Sequence, residues 1–169
     1  MSRHDHVLSR RQFAKLGAFG AAGLSFPSVA TAEQSAAGLK SKFLLDMQLD
    51  IADVQDLGPR RIAPVTGGTF EGPRLKGVAL DGGGDWLIRR PDGASELNVR
   101  TTLQTDDDHL ICVWYRGLIF TRDGGEPYWR TTPVFETASE KYGWLNRIIA
   151  VGVGRRVPGK AAYSVHQIL

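Results

Sequence analysis

Over residues 43–51 the odd positions Phe43, Leu45, Met47, Leu49 and Ile51 are apolar, while Asp46, Gln48 and Asp50 fall on the even ones. A two-residue period sends alternate side chains to opposite faces of an extended chain, so this stretch predicts a half-buried strand. Residues 95–104 repeat the pattern, with Leu97, Val99, Thr101 and Leu103 on one face and Glu96, Asn98, Arg100 and Thr102 on the other. Residues 110–120 are apolar on both faces and rich in β-branched and aromatic side chains, which predicts a central strand. Shorter apolar runs at 75–80, 85–90, 129–137, 148–155 and 161–169 add further strands.

Turn chemistry separates these runs. Asp81-Gly82-Gly83-Gly84 and Pro91-Asp92-Gly93 supply the positive φ angles and local side-chain acceptors that favour hairpins, and Asp106-Asp107-Asp108 closes the 95–104 strand. One helical turn is expected within 139–146, carrying Tyr142, Trp144 and Leu145. Eight or more short strands with little helix predict an all-β domain, and we expect a small antiparallel up-and-down β-barrel, because closure removes the exposed strand edges that invite aggregation. Glycines at 67, 68, 72, 77, 117, 152 and 154 fit bulges and corners where such a sheet bends.

The first 32 residues follow another pattern. Ser9-Arg10-Arg11-Gln12-Phe13-Ala14-Lys15 precedes a mildly apolar stretch, 16–29, diluted by Gly17, Gly20, Gly23 and Pro27 and followed by Ala30-Thr31-Ala32. A twin-arginine pair before a weakly hydrophobic run and a small-x-small cleavage signal predicts an export leader over 1–32, with the twin-arginine export machinery as partner through Arg10 and Arg11 and a periplasmic or secreted destination. The stretch falls short of the roughly 20 apolar residues that span a bilayer, so no stable membrane anchor is expected. Residues 33–42 are small and polar, a flexible spacer before the barrel domain at 43–169.

The leader carries Arg3, Arg10, Arg11 and Lys15 against Asp5, which accounts for the chain's whole formal charge of +3. The remainder is neutral, and a nucleic-acid partner loses its electrostatic basis. Cys112 is the one cysteine of the sequence, so the domain has no internal disulfide, and its apolar run predicts a buried structural thiol.

Candidate chemistry is sparse. His109 and His166 are the histidines beyond the leader, and the triple aspartate lacks the alternation and glycine of a calcium loop, so no metal or other cofactor is expected. The glycine runs precede no helix and are not phosphate cradles, and no Gly-x-Ser-x-Gly elbow occurs. Glu136 stands among apolar and aromatic neighbours, where burial would raise a carboxyl towards the pKa of a working base; Arg100 and Asn146 are candidates to polarise a carbonyl beside it. Asp85 and Tyr115 are further polar candidates for the site. Trp86, Trp114, Trp129 and Trp144, with Phe70, Phe135 and Tyr142, can line a pocket or simply fill a core, Trp86 and Trp144 being our candidate ligand contacts.

The block from Arg60 to Leu75, with Arg60-Arg61-Ile62-Ala63-Pro64-Val65-Thr66-Gly67-Gly68-Thr69-Phe70 at its head, resembles the domain of unknown function 3237 family. Gly83-Gly84-Asp85-Trp86, Arg90-Pro91-Asp92-Gly93, Thr105-Asp106-Asp107, Pro133-Val134-Phe135-Glu136-Thr137 and Tyr142-Gly143-Trp144-Leu145-Asn146 continue the resemblance in order. It implies a small antiparallel, calycin-like barrel and no assigned activity. Two departures stand out: Asp108 where the resemblance implies a turn glycine, and Thr101-Thr102 where it implies an aromatic residue after Arg100.

Two functions fit these residues: binding of a small, partly apolar or aromatic molecule inside the barrel, or cofactor-independent isomerase, cyclase or lyase chemistry next to a carbonyl with Glu136 as general base. Self-association into a homo-oligomer through an outer face is a third expectation. For the leader, we expect the exported protein to begin at Glu33 by intact mass, and the Arg10→Lys, Arg11→Lys double variant to stay unprocessed in the cytoplasm; unimpeded processing of that variant would contradict the twin-arginine assignment.

Overall fold

The strand predicted over 43–51 is the seam that closes the sheet. A computed structural model of the chain describes residues 38–121 and 124–169; the expected leader and the first half of the spacer lie outside the described residues. Ten strands follow in order: β1 (Ser41–Ile51), β2 (Gln55–Leu57), β3 (Arg60–Gly72), β4 (Leu75–Ala79), β5 (Gly83–Arg89), β6 (Ser95–Thr105), β7 (Leu110–Phe120), β8 (Tyr128–Glu136), β9 (Ala150–Val157) and β10 (Lys160–Ile168). Each strand position pairs antiparallel with the next, and β1 pairs with β3 on one edge and β10 on the other. The result is a closed up-and-down barrel of eight strand positions, with β4 and β5 sharing one position and β2 forming a short hairpin on the start of β3.

Several details differ from the sequence expectation. The Asp81-Gly82 turn does not reverse the chain, because β4 and β5 both run antiparallel to β3 and to β6. It is a bulge: from Ala79 to Gly84 this strand advances five residues while β6 advances three, from Leu103 to Arg100. Asp81 Oδ1 accepts from the Gly82 amide at 2.7 Å, and Gly82 takes φ 95°, so the kink is built locally from an acceptor side chain and a residue without Cβ. Pro91-Asp92-Gly93 does form a hairpin, joining β5 to β6. β3 has no counterpart among the predicted strands, because Pro64, Gly67 and Gly68 interrupt its alternation. Gly68 is needed there, since a Cβ on it would lie 2.1 Å from the Gln48 carbonyl oxygen of β1.

β1 begins at Ser41, so two residues of the expected spacer belong to the sheet. A register shift between Phe43 and Leu45 turns Leu44 and Leu45 both inward and leaves Phe43 exposed, breaking the predicted odd face at its first member. β7 has one buried face rather than two. Ile111, Val113 and Tyr115 point inward, while Leu110, Cys112 and Trp114 are exposed, because the described residues place no second layer outside the barrel wall. Cys112 is therefore a surface thiol, not the buried one expected. Asp108 adopts φ 66°, the left-handed conformation a glycine takes most easily, and its side chain accepts from Gln104 Nε2 at 3.1 Å.

One end of the barrel is filled. Phe70, Leu75, Leu103, Ile111 and Phe135 meet there, with Tyr142 and Leu145 from the segment between β8 and β9. That segment contains the expected helical turn as a 3-10 helix, Gly143–Arg147. Asn146 clamps it: its Oδ1 accepts from the Thr137 amide and its Nδ2 donates to the Thr137 carbonyl, each at 2.9 Å. Asp107 accepts from Tyr142 Oη at 2.9 Å and from Lys141 Nζ at 2.6 Å, and these bonds, the Lys141 one foremost, hold its carboxyl well below the ordinary range.

Gly68→Ala forces backbone against backbone, so we expect it to cost roughly 1–3 kcal/mol in denaturant unfolding. Gly143→Ala, at a glycine with open space around its Cβ position, should leave the midpoint nearly unchanged; equal effects of the two would contradict the close-approach account.

Candidate functional site

The opposite end is not filled. Inward-facing residues of β1, β3, β5, β6, β7, β8 and β10 surround a cavity of about 700 Å³ that opens to solvent near the β9–β10 turn and the segment after β1. Its walls are mostly apolar, with Leu49, Val65, Leu87, Leu97, Val99 and Ile119 supplied by the two-residue period of their strands. At the mouth stand Asp53, Arg156 and Lys160, and the Lys160 ammonium is paired with Asp50.

Among the described residues, the cavity walls carry polar atoms on Asp85 from β5, Tyr115 from β7, Trp129 from β8 and Tyr163 from β10. Asp85 is 9 % exposed and its Oδ1 accepts one bond, from the Asn98 amide of β6 at 2.9 Å. Loss of water around the carboxylate outweighs that single donor and pushes the Asp85 pKa up to about 6. Tyr163 stands between two other rings, edge-on to Tyr115 and to Trp129 with 5.3 Å between centroids in each case. Burial holds both phenols protonated, raising Tyr115 and Tyr163 above the usual tyrosine range. Trp129 Nε1 is fully buried without a hydrogen-bond partner among the described residues, while the Tyr115 and Tyr163 phenols are close enough to interact with each other, which adds to the Tyr115 shift. Trp129 owes its seat to β9, where a Cβ on Gly154 would fall 2.3 Å from its ring.

The structure brings together only part of the predicted site. Asp85 and Tyr115 both line the cavity. Glu136 does not: on β8 the buried positions are Trp129, Thr131, Pro133 and Phe135, so Glu136 faces outward and is exposed. Its apolar neighbours are either inside the wall or exposed beside it, and do not enclose its carboxyl. Arg100 likewise lies on the outer face of β6, opposite Trp114 of β7, and Asn146 is occupied in clamping Thr137 at the filled end. Trp86 is on the outward parity of β5, and Trp144 lies outside the cavity with the Arg74 guanidinium stacked 3.7 Å from its ring centroid. Trp129 stands out in the sequence only as part of an aromatic supply, and nothing in the sequence singles out Tyr163; both sit on the inward parity of strands whose period is readable. Thr101, where the resemblance implies an aromatic side chain, points inward but does not line the cavity.

Among the described residues no group of three His, Cys, Asp or Glu side chains converges on a metal-sized space. What the cavity offers is a buried carboxyl at Asp85, the rings of Tyr115, Trp129 and Tyr163, and apolar surface.

Known proteins share this architecture. The model of the family described as "Protein of unknown function (DUF3237)" matches residues 39–168. A UPF0311 protein of Rhodopseudomonas palustris is 32% identical over 149 aligned residues, covering 78% of this chain and 97% of the relative. A β-barrel-like protein of Acinetobacter baumannii, known from its crystal structure, superposes with a TM-score of 0.74 at 34% identity, covering 78% of this chain and 96% of that one. A hydroalkoxylation enzyme of Penicillium herquei is 32% identical over 102 residues, 60% of this chain and 62% of the relative.

The raised Asp85 pKa sets a pH dependence of stability. In the unfolded chain the carboxyl ionises near 3.8, in the barrel near 6, so the folded state binds more protons between those values and loses stability as the pH rises through that window. Well above pH 6 the penalty is complete, of order 2–3 kcal/mol, since each tenfold difference in proton affinity between the two states is worth about 1.4 kcal/mol. Asp85→Asn retains an acceptor for the Asn98 amide and should be more stable than the parent at pH 8, with the advantage fading as the pH falls towards 4. Denaturant unfolding across that range measures it, and an advantage independent of pH would contradict the assignment.

Proposed function

The chain belongs to the family of proteins of unknown function DUF3237, and from that footing we propose that its barrel binds a small, mostly apolar molecule in the open half and transfers a proton to it through Asp85. The observation that carries this is one carboxyl with a pKa of about 6 in an apolar cavity of about 700 Å³. A cavity of that size suits a single small ligand, and a carboxyl poised near neutrality exchanges its proton readily in both directions.

The reaction class that fits is the addition of a hydroxyl group across a carbon–carbon double bond within one substrate. Protonated Asp85 gives its proton to one alkene carbon, whose π electrons form the new C–H bond. The hydroxyl oxygen bonds to the other carbon, and its proton returns to the Asp85 carboxylate. Atoms balance, nothing is oxidised or reduced, and the product is an isomer of the substrate. The apolar wall keeps water from competing for the cationic carbon. The name of the Penicillium herquei relative, a hydroalkoxylation enzyme, supports the same class. The carbonyl chemistry expected with Glu136 as base loses its support, because Glu136 is exposed on the outside of the wall. The leader at 1–32 would place the activity in the periplasm or outside the cell.

An ortho-prenylated phenol is a suitable probe, with ring closure followed by chromatography. We expect turnover by the parent protein to fall as the pH rises through about 6. Asp85→Asn should lose about 10²–10⁴-fold in kcat/KM while still binding the probe, and Glu136→Gln should behave as the parent. Full activity of Asp85→Asn would contradict the assignment; parent-like binding without turnover by any of the three proteins would reduce the function to binding alone.

A further inference from the structure

Two cations line the cavity, Arg156 and Lys160, and only one of them is paired. Lys160 holds Asp50, whereas Arg156 makes no hydrogen bond or ion pair with any described residue. Strand parity puts Arg156 on the cavity side of the wall. The buried positions of β9 are Ala150, Gly152 and Gly154, and Arg156 continues that face at the mouth, where it is exposed. In register it stands opposite Ala161 of β10, itself a lining residue, just as Gly154 stands opposite Tyr163, and directly opposed residues of paired strands share a face. The two glycines have no room for side chains: a Cβ on Gly152 would lie 2.3 Å from Thr131 Oγ1, and one on Gly154 2.3 Å from the Trp129 ring. Arg156 is the next inward position, and the small Ala161 beside it leaves its long side chain space over the opening. Its neighbour Arg155 has the outward parity and lies 3.8 Å from Asp46.

We propose that Arg156 selects the ligand by charge: the open half takes an amphipathic carboxylic acid whose carboxylate stays at the mouth on the Arg156 guanidinium while its apolar body enters the barrel. This rests on the reading of the open half as a binding site, and adds the class of the ligand and the direction in which it enters. A guanidinium is always charged, and its planar fork of N–H donors fits the two oxygens of a carboxylate. The mouth is where an anion can be kept. Deeper in, the wall of Leu49, Val65, Leu97 and Val99 offers nothing to compensate its charge, so burial there costs far more than a hydrated contact at the rim. An acid held this way presents its far, apolar end to Asp85, which puts the reacting double bond at the end of the molecule remote from the carboxylate. Asp53 and Asp85 also line the cavity and oppose an anion. A solvent-open contact is therefore worth a few-fold in affinity rather than orders of magnitude.

Naphthaleneacetate, naphthaleneacetamide and naphthylethylammonium place a negative, a neutral and a positive group on one apolar body. Calorimetric titration compares them at low ionic strength, where screening of an exposed pair is weakest. We expect the acetate to bind tightest of the three, about three- to fivefold more tightly than the amide. That preference should vanish in Arg156→Gln and survive in Arg155→Gln, which removes the same charge from the outer face. Equal affinities of acetate and amide in the parent protein, or tightest binding of the ammonium compound, would overturn the assignment to Arg156 and leave the cavity as a binding site. A preference that persists in Arg156→Gln, or is lost equally in Arg155→Gln, would overturn it in the same way. Absence of binding by all three compounds would overturn this assignment and the binding-site reading together. The comparison of the three compounds is made in the parent protein, so it stands even if a variant folds poorly.

Discussion

Closure of the sheet through β1 is the constraint on which the remaining features depend. β1 spends the hydrogen bonds of one edge on β3 and of the other on β10, and only a strand paired on both sides joins the two ends of a meander into a wall without edges. Such a wall fixes an interior whose width is set by strand number rather than by the side chains inside it. At one end Phe70, Phe135 and Tyr142 supply enough volume to fill that width. At the other, where Leu49, Val65, Leu87, Leu97 and Val99 face Asp85 and the rings of Tyr115, Trp129 and Tyr163, the space stays open.

The unfilled half and the unusual carboxyl have a common cause. Inward-facing positions of a barrel are removed from water whatever their polarity, so an aspartate on that parity loses hydration and must be compensated by donors. Asp85 receives one, the Asn98 amide, and one is too few. The same parity leaves Trp129 Nε1 buried without a partner among the described residues. Asp85 lies in the open half, while at the filled end Asp107 takes bonds from Lys141 and Tyr142, and Asn146 from Thr137. An under-compensated carboxyl beside an open cavity is where function is expected to reside.

The fold is largely legible in the sequence because period-two alternation and turn chemistry are local. β6, β7 and β8 need nothing beyond the spacing of their apolar residues. β3 is not legible, since its glycines answer to a neighbouring backbone, that of Gln48, which no local pattern records. The turn at Asp81-Gly82 misleads for a related reason: the same two residues serve a hairpin or a bulge, and the pairing of the strand with β3 and β6 decides which. The site is half legible. Asp85 and Tyr115 are among the sequence candidates, but the apolarity of its sequence neighbours points to Glu136 as base, when parity with Phe135 already places it outside. Tyr163 leaves no local signal because its role arises from two distant strands, β7 and β8, that bring Tyr115 and Trp129 to its ring.

The claim on which the proton chemistry stands is that the barrel keeps the Asp85 carboxyl protonated up to near-neutral pH. Carbon-13 NMR of protein labelled at the aspartate side-chain carboxyl, with Asp85 assigned by the loss of its signal in Asp85→Asn, measures it without reference to any substrate. The account predicts a titration midpoint of about 6, well separated from the exposed aspartates. A midpoint near 4 would show a hydrated, ordinary carboxylate and would contradict it.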